Sequence, residues 1–249
     1  MPVLSVDLAC RSWSDLGVVL LEQKGPQEDM RIACEIFHWQ DKASPSVVEL
    51  AIRLNTLCLE RKVNILMLDG PQAWKSEDNG YQFCRTSERE LNTSAKTGLP
   101  GTVLPGTYER FVGFCLALYD ALERLGWQRL ATREGQTDGS PRRILVESYP
   151  HAAWKSLGIP PLPAKRKCRV SHLAEAYAAL TALLPITTSQ PPNHDQLQAI
   201  VGGLPGLAIE QRNETAARIV GQPPRREGGH WREGFIVVPL APAQESGQG

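Results

Sequence analysis

Four carboxylate residues fall where predicted strands or helices of this chain begin or end. An acidic residue that closes an apolar strand lies at the rim of the sheet, and several such rims converge in an open α/β sheet. Like charges held close together are costly unless a cation neutralises them, so the arrangement indicates a metal site. The four residues are Asp7 in VLSVDLA, Asp69 in NILMLDGP, Glu147 in RILVESYP and Asp195 in NHDQLQAI.

The predicted ligands are all oxygen donors, which select hard cations such as Mg²⁺ or Mn²⁺. In a two-metal hydrolase the ions lie about 4 Å apart, and Asp7 is the natural residue to bridge them. Asp69 would flank the ions, and Glu147 and Asp195 would close the site. The alternative is that the carboxylates are separate and solvated, since an acid in the first helical turn, as at Asp195, is expected anyway.

Basic side chains near these acids are candidate contacts for a phosphate backbone. Lys165 and Lys167 belong to the densest basic run, which follows the predicted strand of Glu147 in sequence. Arg85 and Arg89 follow Asp69 and have the fork geometry that binds phosphates or carboxylates with two hydrogen bonds. A solvated charge run and local pairing with neighbouring glutamates are the alternatives for the two groups.

Histidine and aromatic residues near the predicted site have weaker functional signals. His151 and His194 are candidate proton carriers because imidazole titrates near neutral pH, although a lone histidine is more often structural. Packing in the core or at the rim is the more probable role of the aromatic residues, and base stacking is the alternative. These aromatic residues are Trp74, Tyr81, Tyr149 and Trp154.

Composition sets limits on the class of protein. The 249 residues suit one large domain, and 27 basic residues balance 27 acidic ones, so any binding to nucleic acid must use local patches. A secretory signal and a bilayer-spanning apolar run are both missing from the sequence, which predicts a cytoplasmic protein without a membrane partner. Six scattered cysteines without a CxxC pair are expected to be reduced thiols.

Apolar patterning predicts the elements that position the acids. Residues 3–8, 16–22 and 30–39 are typical of three antiparallel strands, and a helix is predicted to begin at Ser44-Pro45. The apolar NILMLD is typical of a central parallel strand. Residues 70–107, rich in Gly, Pro, Ser and Thr, predict a long surface excursion.

The second half of the chain is predicted to add helices around one further strand. Helices are expected over 108–127, over 170–184 and from 194, with RILVES as a strand between the first two. The short GFIVVPL predicts a final edge strand. A single domain over 1–240 with a flexible tail over 241–249 follows.

The ordered set of motifs resembles the DUF-429 family of predicted RNase H-like nucleases. The segments that carry the resemblance run from Asp7 to Pro239 and are VDLACR, LDGP, CRTSERELN, VESYPHAAW, HDQLQAIVGGL and EGFIVVP. The resemblance implies an RNase H-like mixed sheet, with three antiparallel strands followed by parallel strands and flanking helices. It also implies a divalent-metal nuclease.

Residue by residue, the resemblance implies metal-site roles for the same four carboxylates. Arg85 and Arg89 match the polar CR-x-x-acid-R piece of the family. The late helix of the family usually has two acids three residues apart, as in RuvC-type resolvases, and this chain has Gln198 at the second position. An amide binds Mg²⁺ more weakly than a carboxylate, so either Asp195 alone completes the site or one metal position is weakened.

The leading hypothesis is a nuclease that depends on Mg²⁺ or Mn²⁺ and acts on DNA or RNA. A nucleotide-binding or phospho-ligand-binding protein on the same fold is the first alternative, although the CRSWSD turn lacks a glycine-rich phosphate loop. A catalytically inactive scaffold is the second alternative, which Gln198 and the neutral net charge favour. Walker, GxGxxG, HExxH and GxSxG motifs are missing, which weakens other common enzyme classes.

Overall fold

The computed structural model describes residues 1–25, 30–133 and 143–242, so most of the predicted tail over 241–249 lies outside the described residues. The strands are β1 (Val3–Asp7), β2 (Gly17–Lys24), β3 (Arg31–Phe37), β4 (Ile65–Asp69), β5 (Gln128–Arg129), β6 (Ile144–Ser148), β7 (Ile186–Thr188), β8 (Ala217–Glu227) and β9 (His230–Pro239). The α-helices are α1 (Val47–Glu60), α2 (Thr86–Glu90), α3 (Glu109–Arg124), α4 (Pro150–Ser156), α5 (Val170–Leu183) and α6 (His194–Glu210).

Within the described residues the strands form one mixed sheet in the order β7-β3-β2-β1-β4-β6-β9-β8, with β5 pairing beside β6. Strands β1 and β3 each pair with β2 in the antiparallel direction, whereas β4, β6 and β9 run parallel to β1. This is the predicted RNase H-like arrangement, and the fold prediction is confirmed. None of the helices in the described ranges has both the length and the apolar character needed to cross a membrane.

The two faces of the sheet carry separate cores because successive side chains of a strand point to opposite sides. Val3, Met67 and Val146 belong to the core under α6. Leu4, Leu66 and Leu145 belong to the core under α1 and α3. A residue at a strand end therefore points toward α6 if it alternates in step with Val3, Met67 and Val146. It points toward α1 and α3 if it alternates in step with Leu4, Leu66 and Leu145.

Glycines let α6 approach the sheet closely. A Cβ on Gly203 would lie 2.8 Å from the Cβ of Ser5, and one on Gly206 would lie 2.6 Å from Cγ1 of Val3. Real Cβ atoms do not approach neighbours this closely, so larger residues would push the helix off β1. The run VGGLPGL thus fixes the height of α6, including its first turn, above the strands.

The prediction of a final edge strand at GFIVVPL is wrong in its placement. These residues belong to β9, which lies between β6 and β8, and the edge is β8. Strand β8 carries Pro223 and Pro224 at a register shift between Gln222 and Arg225. An edge strand tolerates prolines at such irregularities because some of its N–H groups have no ladder partner, but prolines conceal the strand in the sequence.

Residues 70–107 are packed against the protein to a greater extent than a surface excursion would be. The polar residues Gln72, Ser76, Arg85 and Glu88 of this segment are all less than 5% exposed, and α2 contacts β8 and β9. Arg85 donates to Glu88, and the Gln72 amide donates to the carbonyl oxygen of Phe235, which ties the segment to β9. Two smaller features also differ from the prediction, since α1 begins after an N-cap at Ser46 and α4 was not predicted.

Candidate metal site

The carboxylates of Asp7 and Asp69 lie side by side at the ends of β1 and β4. They are register partners in the parallel pair, so both side chains point to the face of the sheet that α6 covers. Both are partly exposed at the rim, and their carboxyl groups lie within hydrogen-bonding reach of each other. Two carboxylates are acceptors only, so a hydrogen bond between them requires a shared proton.

The pair is electrostatically unfavourable when both members are ionised. Burial, followed by the charges of Asp69 and Asp195, raises the pKa of Asp7 well above its usual range. Burial, with the charge of Glu147 adding to it, raises the pKa of Asp69 to about 7, although its bond to Asp7 acts in the opposite direction. A divalent cation would remove this cost by taking the place of the shared proton.

The first turn of α6 brings Asp195 to this pair through a contact with Gly17. Gly17 is the β2 register partner of Asp7, and a Cβ on it would lie 2.1 Å from the backbone oxygen of Asp195. The helix backbone therefore rests directly on the strand. Any side chain at position 17 would displace Asp195 from Asp7, which makes Gly17 a positioning residue.

Basic groups contact both carboxylate oxygens of Asp195. Lys165 Nζ donates to Asp195 Oδ2 at 2.5 Å and to Asp15 Oδ1 at 2.7 Å. His194 Nδ1 lies 3.1 Å from Asp195 Oδ1, and its Nε2 lies 3.1 Å from the carbonyl oxygen of Pro163. The carboxylates raise the pKa of Lys165 above its usual range even though partial burial acts to lower it.

Ser148 occupies the next position in the row of Asp7 and Asp69. It is the β6 register partner of Asp69, so its side chain points to the same face. Its hydroxyl is buried and has no hydrogen-bond partner among the described residues, and a Cβ on Gly202 of α6 would lie 3.1 Å from it. A buried hydroxyl without a partner is uncommon and is chemically suited to an additional oxygen ligand or to a bound water.

Glu147 points to the opposite face of the sheet from Asp7 and Asp69. Its register partner in β4 is Leu68, one position before Asp69. Both of its oxygens accept from Arg85, at 2.6 and 2.7 Å, and one also accepts from the backbone N–H of Gln72 at 3.0 Å. Burial raises the pKa of Glu147, although the Arg85 charge opposes that shift. The structure therefore separates Glu147 from the other three predicted ligands.

Arg85, which was predicted to contact substrate, is 1% exposed and belongs to a buried ionic network. Besides Glu147 it contacts Glu88 at 3.2 Å, and Glu88 accepts from the backbone N–H of Thr97 at 3.1 Å. Burial acts to lower the pKa of Arg85, but the carboxylates around it raise that pKa. Nearby, the buried Glu233 accepts backbone N–H bonds from residues 76 and 86. This network holds the 70–107 segment in place.

Gln198, at the position where the motif resemblance places a second acid, is hydrogen-bonded to a tryptophan of the core. Its Oε1 accepts the indole N–H of Trp154 at 2.7 Å. Trp154 lies in α4 and is fully buried, so this bond satisfies the indole donor and ties α4 to α6. The structure thus gives Gln198 a packing role.

The other predicted contacts are distributed over the surface. Lys167 is exposed in the short 3-10 helix Lys165–Lys167, and Arg89 is exposed on α2. His151 is exposed on α4, where burial of part of its ring, with the Lys155 charge as a second cause, lowers its pKa. Tyr81 is 38% exposed, whereas the backbone of Trp74 pairs with β9.

Within the described ranges, no group of three or more His, Cys, Asp or Glu side chains is arranged to hold a metal ion. The donors that fit a hard cation are the Asp7 and Asp69 carboxylates, with the Ser148 hydroxyl in the same row. Mg²⁺ commonly takes one or two protein carboxylates and completes its octahedron with water and phosphate oxygens. The donor set thus suits one such ion at the Asp7–Asp69 pair.

Three residues that shape this site were not predicted from the sequence. Ser148 directly follows Glu147, so the two side chains point to opposite faces of the sheet. Only the register with β4 shows that Ser148, and not Glu147, is on the face of Asp69. Gly17 follows Leu16 in an unremarkable DLGVV run. Asp15, which holds Lys165, lies in a short 3-10 helix between β1 and β2. Their roles depend on contacts between segments distant in sequence.

Comparisons with known proteins give structural similarity only. No protein-family model matches the sequence, and no curated protein matches it. A Thermus thermophilus RuvC structure is 14% identical with a TM-score of 0.41, covering 85% of this chain and 96% of that one. A T. thermophilus RuvC in complex with a Holliday junction substrate is 11% identical with a TM-score of 0.40, covering 96% of this chain and all of that one.

Proposed function

We propose that this protein is a phosphodiester hydrolase that uses Mg²⁺ or Mn²⁺ and acts on nucleic acid in the cytoplasm. The observation that carries the proposal is the pair of Asp7 and Asp69, register partners whose carboxyl groups lie next to each other at the rim of the sheet. Such a pair is expensive to maintain without a cation, and oxygen-only ligands select hard ions that coordinate phosphates. The RNase H-like sheet and the motif resemblance to predicted nucleases also support this proposal.

In this proposal Asp7 and Asp69 hold the ion, and the Ser148 hydroxyl is a candidate third donor. A bound ion would lower the pKa of a coordinated water and stabilise charge on a phosphoryl oxygen. The chain itself contributes a sheet rim that keeps the carboxylates partly buried, so their attraction to a cation is only partly screened by solvent. Lys167 and Arg89 are candidate contacts to the phosphate backbone because both are exposed cations.

Metal binding is the first test. Mg²⁺ or Mn²⁺ should raise the melting temperature of the wild type because the folded state binds the ion preferentially. In Asp7→Asn the response should fall strongly, since one of two carboxylate ligands is lost. Asp120→Asn is the matched control, because Asp120 lies on α3 and pairs with Arg129 at 3.0 Å. An equal response in all three proteins would place the ion elsewhere.

Cleavage is the second test. Wild-type protein, Asp7→Asn and Asp120→Asn should be incubated with Mn²⁺ and a panel of single-stranded, duplex, hybrid and four-way-junction substrates. The junction is included because the RuvC complex contains one. We expect the wild type and Asp120→Asn to cut at least one substrate, and Asp7→Asn to cut none above background. Cutting that is equal in Asp7→Asn would indicate a contaminating nuclease.

A second candidate function is a catalytically inactive binding protein on the same fold. The bond from Trp154 to Gln198 favours it, because the late-helix position that carries an acid in related nucleases serves packing here. Confirmed metal binding by the wild type without cleavage of any substrate would support this candidate over the hydrolase.

A further inference from the structure

Asp195 is committed to a cation that the chain itself provides. The ammonium of Lys165 lies between Asp195 and Asp15, at 2.5 and 2.7 Å. The other oxygen of Asp195 faces the ring of His194 at 3.1 Å. Lys165 thus has two anionic partners from different segments, and the ammonium is held close enough to Asp7 to act on its charge. A positive charge is already built in beside the Asp7–Asp69 pair.

Two other residues that a second metal ion would need are bound elsewhere. Glu147 points away from the pair and binds Arg85 with both oxygens. Gln198 gives its carbonyl oxygen to the indole of Trp154. Among the residues that the structure describes, the oxygen donors remaining in this row of the sheet are Asp7, Asp69 and the Ser148 hydroxyl.

We propose that the site holds one divalent ion, at Asp7 and Asp69, and that the Lys165 ammonium held by Asp15 and Asp195 takes the place of a second ion. This inference rests on the proposed metal site and specifies its charge composition. A divalent ion and an ammonium provide three positive charges against the four carboxylates of Asp7, Asp69, Asp15 and Asp195, which leaves one net negative charge among these groups. An ammonium donates hydrogen bonds to phosphate oxygens as a point charge, so it suits a position beside a bound phosphodiester.

Ion stoichiometry tests this inference without reference to activity. Mn²⁺ titration by calorimetry should give one ion per wild-type chain. Electron paramagnetic resonance of the loaded protein should show an isolated ion, without the coupling of two ions about 4 Å apart. In Lys165→Met the Asp195 carboxylate is released, so we expect a second ion to bind and coupling to appear. The first ion should also bind at least about threefold more tightly, because a nearby positive charge is removed.

Two controls isolate the role of the ammonium. Lys167→Met removes the same charge from the same short helix and should leave stoichiometry and affinity at wild-type values. Lys165→Arg keeps a cation and should retain one ion. Two ions in the wild type, or a Lys165→Met protein identical to the wild type in both measurements, would overturn the inference. Two bound ions together with metal-dependent cleavage would contradict this inference but support the proposed hydrolase. One bound ion without cleavage would support this inference but contradict the proposed hydrolase.

Discussion

The two faces of the sheet treat acids at strand ends in opposite ways. On the α6 face, Asp7 and Asp69 lie next to each other at a partly exposed rim, and burial raises the pKa of both. On the other face, Glu147 is 3% exposed and receives two short bonds from Arg85. The Asp7–Asp69 pair would be stabilised by a cation bound between its two carboxylates, whereas Glu147 already has Arg85 as a direct cationic partner.

This difference arises from a single residue of register. Asp69 is paired with Ser148, and Leu68 is paired with Glu147. An acid one position earlier in its strand points to the other face, where it meets the 70–107 segment and not the first turn of α6. The same sequence signal, an acid after an apolar run, therefore gives a candidate ligand site in one case and an anchor for a long connection in the other.

The largest expected loss of stability is on the face where Arg85 neutralises Glu147. Arg85→Ala would leave the buried carboxylates of Glu147 and Glu88 without their shared cation, and breaking a buried pair in this way costs about 3–5 kcal/mol. Urea unfolding followed by circular dichroism measures the loss. Arg89→Ala, an exposed position in the helix α2 that follows Arg85, should change stability by less than about 0.5 kcal/mol. A loss below about 1 kcal/mol for Arg85→Ala would show that the ionic network contributes little.

A smaller loss of stability is expected on the face that α6 covers. Gly17→Ala places a methyl group against the backbone of Asp195, and overpacking of this kind typically costs about 1–3 kcal/mol. Gly113→Ala is the matched control, because Gly113 lies within α3 and a Cβ there meets no atom within 4 Å. Alanine is the better helix former, so the control should gain about 0.5–1 kcal/mol. Equal effects of the two substitutions would contradict the close contact between α6 and β2.

The order and type of the central elements could be predicted because their patterns are local. The strands around Val3–Asp7 and Ile65–Asp69 are continuous apolar runs, and α3 carries a regular apolar stripe. Local pattern cannot reveal pairing, so β8 with its two prolines was missed and β9 was placed at the edge. The same limit applies to the site, because the partnership of Glu147 with Arg85 joins residues 62 positions apart.

The pH dependence of stability should distinguish the faces in metal-free protein. The pKa of Asp69 is about 7 in the folded protein, against about 3.9 for an unperturbed aspartate. Between these values the folded state binds more protons than the unfolded state, so this contribution to stability is present below about pH 4 and is lost as the pH rises through about 7.

Urea unfolding in EDTA at a series of pH values measures this contribution. We expect Asp69→Asn to flatten the fall in stability between about pH 4 and pH 7 relative to the wild type. Adding Mn²⁺ to the wild type near pH 7 should restore stability, because the ion replaces the proton. Identical pH profiles for wild type and Asp69→Asn would show that ionisation of the carboxyl pair does not destabilise the folded state.

The smallest expected effect is at Gln198, where the motif resemblance and the structure make different predictions. If the position served a metal, an acid there would add a ligand and raise the number of bound Mn²⁺ ions. In the structure Gln198 accepts from Trp154, and Gln198→Glu keeps an acceptor oxygen at the same length. We therefore expect the melting temperature of Gln198→Glu to remain within about 2 °C of the wild type and Mn²⁺ stoichiometry to remain at one. A second bound ion in Gln198→Glu while Lys165 is intact would show that Asp195 and residue 198 can form a metal position together.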